Sequence, residues 1–106
     1  MAEPKLTHTA TMILYAIDAG YIYGLSIMEA TGLPSGTVYP ALRRLEASKL
    51  VRSAWESQRV ADKEQRPARK YYKLTGAGNS VVEGARKRYP LLAALKPSVD
   101  KGADRG

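Results

Sequence analysis

Cysteine is absent from this chain of 106 residues, and histidine occurs once, as His8 near the N-terminus. Without cysteine there is no disulfide frame and no thiolate to bind a metal. With one histidine, read as a solvated residue at a helix start, no Cys/His or Ser/His/Asp set can be assembled to activate a nucleophile. A glycine-rich phosphate loop and metal-ligand spacing are lacking as well. No enzyme, cofactor or metal site is therefore expected. No run approaches the roughly 18 apolar residues of a membrane span, and the first residues carry no signal-peptide pattern. The expected home is the cytoplasm, with no membrane partner.

What is present is a chain of one-domain size, 44% hydrophobic, with a net charge of +7. The charge is unevenly placed. Residues 1–50 carry four basic and four acidic groups, whereas residues 51–106 carry 13 basic and 6 acidic ones. A basic half interleaved with tyrosines suggests a surface for a polyanion.

Residues 32–50 organise the rest. Gly32 suits the left-handed end of a helix, Pro34 blocks its continuation, and Ser35 or Thr37 offers an N-cap for the next one. With Thr37 as cap, Pro40 falls in the first turn, where its missing amide costs nothing. Val38, Ala41, Leu42 and Leu45 form a buried stripe. The opposite face collects Gly36, Thr37, Pro40, Arg43, Arg44 and Ala47, with Tyr39 on the flank. Small residues beside two arginines let a helix approach phosphates and base edges closely.

Before this stretch, Thr7 or Thr9 can cap a helix to about residue 19, with Met12, Ile13, Ala16 and Ile17 inward, closed by Gly20. Tyr21 and Ile22 can form a very short strand, and a second helix is expected over residues 24–31. Two short helices, a glycine turn and an amphipathic third helix make a helix-turn-helix pattern. After Leu50 the period becomes two. Val51 and Trp55 share one face of a first strand, Tyr72 and Leu74 one face of a second. Between them residues 57–68 read as a polar hairpin loop, a wing, with Arg59, Lys63 and Arg66 as its basic groups. Thr75 can cap a last helix, whose first turn is weakened by Gly76 and Gly78. Val81, Val82, Ala85, Tyr89, Leu92 and Leu95 recur along it, and Pro90 kinks it.

The run Pro34-Ser35-Gly36-Thr37-Val38-Tyr39-Pro40-Ala41-Leu42-Arg43-Arg44-Leu45-Glu46 closely resembles the recognition-helix signature of the PadR-like transcriptional regulators. Tyr23-Gly24-Leu25-Ser26-Ile27 is similar to that family's helix-2 start. Arg66-Pro67-Ala68-Arg69-Lys70-Tyr71-Tyr72-Lys73-Leu74-Thr75 is similar to its second wing strand. Order and spacing fit over residues 9–78, except that the family often carries glutamate where Gly76 stands. The resemblance implies a homodimer joined through the C-terminal helix, usually a repressor released by a small effector. It points to the branch with one short terminal helix.

The expected fold is mainly α with a small β-hairpin: a winged helix-turn-helix domain over residues 7–75, a dimerisation helix over 76–96 and a disordered tail over 97–106. The expected function is sequence-specific regulation of transcription by a homodimer on a palindromic site in double-stranded DNA. Ser35, Gly36, Thr37, Tyr39, Arg43 and Arg44 would meet bases and phosphates in the major groove. Arg59, Lys63, Arg66, Arg69 and Lys70 would meet the adjacent backbone or minor groove. Val81, Val82, Ala85, Tyr89, Leu92 and Leu95 would face the dimer mate. The competing expectation is a winged-helix protein-interaction module whose basic half serves a partner's acidic surface. A large apolar patch on the third helix would favour that alternative.

Overall fold

The hydroxyl oxygen of Thr7 accepts the amide of Ala10 at 3.0 Å and so starts the first helix of the computed structural model, which describes residues 6–88. This helix, α1, runs His8–Asp18, with Thr7 rather than Thr9 as its cap. It buries Ala10, Ile13, Leu14, Ala16 and Ile17, while Met12 stays half-buried. Gly20, at φ 106°, closes it. The Gly20 amide donates to Ile17 and the Tyr21 amide to Ala16, the two bonds of a Schellman cap.

The second helix, α2, runs Gly24–Thr31 and ends at Gly32, whose φ of 75° is the left-handed conformation anticipated there. The third, α3, spans Ser35–Ala47 and buries Val38, Ala41, Leu42 and Leu45, the four residues of the expected stripe. Its start differs from both anticipated caps. Pro34 is the N-cap, and no side chain caps the helix. The Pro34 carbonyl accepts the amides of Thr37 and Val38 at 2.9 and 3.0 Å. Pro40 consequently lies inside α3. The bond it cannot make is the one to the carbonyl of Gly36, an exposed position that water can serve.

A second Schellman cap ends α3. Lys49 takes φ 64°, its amide donates to Glu46, and Leu50 donates to Leu45, both at 3.0 Å. The chain enters β1, Val51–Trp55. Where an irregular loop was anticipated, the wing contains a helix, α4, over Gln58–Lys63. Ser57 caps it by accepting the Val60 amide at 3.2 Å, and Ala61 is buried beneath it. A third Schellman cap, with Gln65 at φ 58°, turns the chain back. β2, Lys70–Leu74, then pairs antiparallel with β1 in the register Val51↔Leu74 to Trp55↔Lys70. On its other side β2 meets the anticipated short segment. The Tyr72 amide donates to Ile22 at 2.9 Å, and Tyr23 bridges Tyr71.

The last helix, α5, runs Gly76–Arg88. As anticipated, Thr75 caps it, accepting the Gly78 amide at 3.0 Å while its hydroxyl donates to the Lys49 carbonyl at 2.7 Å. Gly78 is more than a weak point in the first turn. A Cβ there would run into the carbonyl oxygen of Leu50, so glycine permits α5 to lie against the entry to β1. The core gathers Ile13, Leu14, Ile27, Val38, Leu42, Val51, Tyr72 and Val82 from all three first helices, both strands and α5. The architecture is a mainly helical winged helix-turn-helix with a two-stranded wing.

Candidate nucleic-acid interface

The buried stripe of α3 leaves Ser35, Gly36, Tyr39, Arg43, Arg44 and Ala47 exposed, with Thr37 and Pro40 half-buried. Successive residues diverge by about 100° around a helix. Arg43 and Arg44 therefore lean to opposite sides of the outward face. Arg43 borders a hollow of about 500 Å³ between α3, the start of α2 and the hairpin. Arg44 borders a smaller hollow beside Leu6, Thr7 and Ala10 of the N-terminal end. Among the described residues neither arginine forms an ion pair, so both present their charge outward. Glu46, one turn on, accepts the Ser53 hydroxyl at 2.6 Å, which fastens the middle of β1 to α3.

The wing's basic groups divide into two sets. Arg59 and Lys63 stand exposed on α4. Arg66 folds inward instead. Its Nη1 donates to Glu56 Oε1 at 2.6 Å and its Nη2 to Oε2 at 3.1 Å, a two-pronged guanidinium–carboxylate pair. Glu56 also accepts the Arg69 amide at 3.0 Å, the Arg69 Nη2 at 3.4 Å and the Tyr23 hydroxyl at 3.3 Å. The Glu56 side chain is only 7% exposed. The Arg66 guanidinium, helped by the Arg69 amide and side chain, holds its carboxyl at about 2, well below the usual carboxylate range. Arg69 in turn lies 4.0 Å from the Tyr23 ring centroid, and Lys70 Nζ lies 5.8 Å from that of Trp55.

Glu56 is the residue that sequence reasoning missed. The available signal was the hairpin itself, because an antiparallel register with residue 55 opposite 70 sets 56 opposite 69. Tyr72, buried on the same side of the sheet as Ser53, has its phenol pushed up by burial, with the neighbouring Tyr39 and Glu46 adding and Arg43 opposing.

The residues anticipated at a dimer surface separate as well. Val82 and Ala85 are 2% and 6% exposed within the single chain, where α5 packs on α1. Val82 belongs to the chain's own core cluster, and Val81 is half-buried against it. The same contact is tied by Arg86, whose Nη2 donates to Asp18 Oδ2 at 2.6 Å. Tyr89, Leu92, Leu95, the kink at Pro90 and the tail over 97–106 lie outside the described residues. Among the described residues no three His, Cys, Asp or Glu side chains come together as a metal-ligand set, and no helix is long and apolar enough to cross a membrane.

Comparison with known structures places this geometry. A PadR family transcription regulator from Clostridium difficile R20291 superposes with a TM-score of 0.70 at 23% identity, over 84% of this chain and 94% of that one. A PadR-like transcription factor from Bacteroides fragilis gives 0.63 at 29% identity, over 81% and 84%. A point mutant of S. aureus MepR bound to an oligodeoxyribonucleotide gives 0.67 at 24% identity, over 85% of this chain and 62% of that one. Comparison with curated protein sequences gives no match. The family model of the transcriptional regulator PadR-like family matches residues 13–84, from the middle of α1 to the third turn of α5. The chain belongs to the PadR-like family of transcriptional regulators.

Proposed function

We propose that the chain is a sequence-specific DNA-binding regulator of transcription that acts as a homodimer on a palindromic operator, as a repressor relieved by a small effector. The observation that carries this reading is the outward face of α3. Among the described residues Arg43 and Arg44 stand there without acidic partners, beside the small residues Gly36 and Ala47. A helix so furnished fits the major groove, where arginine reads guanine edges or grips phosphate. Ser35, Thr37 and Tyr39 lie towards its N-terminal end, the part that meets base edges in helix-turn-helix docking. Arg59 and Lys63, raised on α4, reach the flanking backbone, with Lys70 between wing and helix. Arg66 contributes by shaping the wing. For the mate, the sequence offers Val81 together with Tyr89, Leu92 and Leu95. The oligodeoxyribonucleotide-bound MepR structure is a neighbour in fold, which supports DNA as the partner.

A winged-helix interaction module is the second reading, and one observation favours it. Leu25, Tyr39 and Trp55 leave apolar surface exposed beside Arg43. A mobility-shift assay on the DNA upstream of its own gene separates the two. A shift that resists excess unrelated duplex and is lost when Arg43 and Arg44 are both replaced by alanine establishes the regulator. Equal binding to unrelated duplex overturns it.

A further inference from the structure

Leu25 and Trp55 are 63% and 64% exposed, and Tyr39 is the third large apolar side chain left open beside them. All three line the 500 Å³ hollow between α2, α3 and the hairpin. Apolar surface gathered in one concavity marks a place where something binds. Tyr39, whose ring lies against Gly24, and Trp55, with Lys70 Nζ 5.8 Å from its centroid, supply the aromatic surface of the hollow. Arg43 and Lys70 offer cations that form no ion pair among the described residues. Among the described residues the one acid of the lining is Glu46, whose Oε2 accepts from Ser53 and whose Oε1 is left to accept an amino group.

Aromatic surface and two cations fit a flat ring that carries anionic charge. The volume exceeds what a single small ring needs, and arginine matches phosphate oxygens two at a time. We propose that this hollow binds a nucleoside monophosphate, its base against Tyr39 and Trp55, its phosphate on Arg43 and Lys70, and an amino group of the base on Glu46. Arg43 and Tyr39 also belong to the face assigned to DNA, so nucleotide and duplex exclude one another. That last clause rests on the DNA-binding reading; the nucleotide site does not.

Trp55 is the only tryptophan of the chain, so its emission reports on the hollow directly. Titration of the full chain with AMP is expected to quench Trp55 saturably, with adenosine and inorganic phosphate each much weaker. Tyr39→Ala is expected to weaken AMP about 5- to 150-fold, the range for loss of one base–aromatic stack. Lys70→Ala, at the half-buried first residue of β2 and outside the core, is expected to weaken AMP while leaving the melt unchanged, which tests the phosphate contact. Quenching that rises linearly without saturation, or equal quenching by adenosine or phosphate alone, overturns the site. Tighter binding of single-stranded hexathymidine than of AMP would assign the hollow to a nucleic-acid strand and overturn the free nucleotide. In the mobility-shift assay, saturating AMP is expected to release the duplex, and retention of the duplex overturns the exclusion. If no duplex binds even without AMP, the DNA-binding reading fails, and the fluorescence titration still decides the nucleotide site by itself.

Discussion

Arg66 folds back across the wing onto Glu56, its two terminal nitrogens 2.6 and 3.1 Å from the two carboxylate oxygens. A basic residue in a wing invites assignment to a phosphate, but this one is spent on closing the hairpin. Five donors from Tyr23, Arg66 and Arg69 meet on one carboxylate, which makes Glu56 the point where wing, strand and helix start are fastened together.

The first prediction follows from the Glu56 carboxyl being held at about 2. An ordinary glutamate titrates near pH 4.3. Because the folded value is the lower one, the stabilising interaction is fully present above pH ~4.3 and is lost as pH falls from there towards 2. Glu56→Gln should lower the melting temperature at pH 7 and remove part of the decline between pH ~4.3 and 2. Parallel acid profiles for the two proteins would show that the carboxylate does not hold the wing.

The second concerns the two arginines of α3. Arg43→Ala and Arg44→Ala are exposed substitutions and should each change stability by less than about 0.5 kcal/mol. A lost base contact should cost about 1–3 kcal/mol of sequence discrimination. Melts together with operator titrations check both halves, and unchanged operator affinity in the double variant would remove α3 from the interface.

The salt dependence of DNA binding gives a third. Each neutralised phosphate adds about 0.9 to the magnitude of the log–log slope. Replacing Arg59 and Lys63 by alanine should therefore reduce the slope by up to about 2. Replacing Arg66 should change it chiefly through loss of wing order, visible as a melt shift that the Arg59/Lys63 pair lacks.

Two backbone positions give a fourth. Lys49 carries a side chain in the left-handed conformation at φ 64°, which costs roughly 1–2 kcal/mol for an L-residue. Lys49→Gly should stabilise the fold by up to about 1 kcal/mol once the flexibility of glycine in the unfolded chain is offset. Gly78→Ala should do the opposite, because the added methyl meets the Leu50 carbonyl. Denaturant midpoints of the two variants should move in opposite directions.

The fifth separates core from mate on α5. Val82→Asp puts a charge among apolar core residues and should abolish the cooperative melt. Val81, half-buried against the rim of the same core, should tolerate aspartate at a smaller cost in stability than Val82 and show weakened self-association. Sedimentation of the unmodified protein as an 11.6 kDa species at micromolar concentration would contradict the homodimer.

Much of the scaffold was written in short-range signals. Gly32 marks the end of α2, Val38, Ala41, Leu42 and Leu45 mark the inner face of α3, and Thr75 marks the start of α5. Each is decided within a few residues. What escaped was decided at longer range. Helix α4 has only Val60 and Ala61 as apolar residues, so it carries no period to detect, and it stands on the Ser57 cap and the turn at Gln65. The role of Glu56 depends on residues 10 and 13 positions further on, brought across by the hairpin. The spacing of the α5 stripe is legible in the sequence, but spacing does not say which surface the stripe meets. Val82 belongs to the chain's own core cluster, and α5 packs on α1 and β2. Ser35 and Thr37 both have the chemistry of a cap, but the Pro34 carbonyl supplies the first bonds of α3.

The wing enters any encounter already shaped. Its helix is capped at Ser57, its return is set at Gln65, and its base is locked at Glu56. A floppy loop of that length would surrender about 1–2 kcal/mol per residue of backbone freedom on docking. Here that ordering precedes contact. Association should therefore resemble the meeting of two rigid bodies, with a heat-capacity change set by the contact area alone and with no folding step to slow the approach.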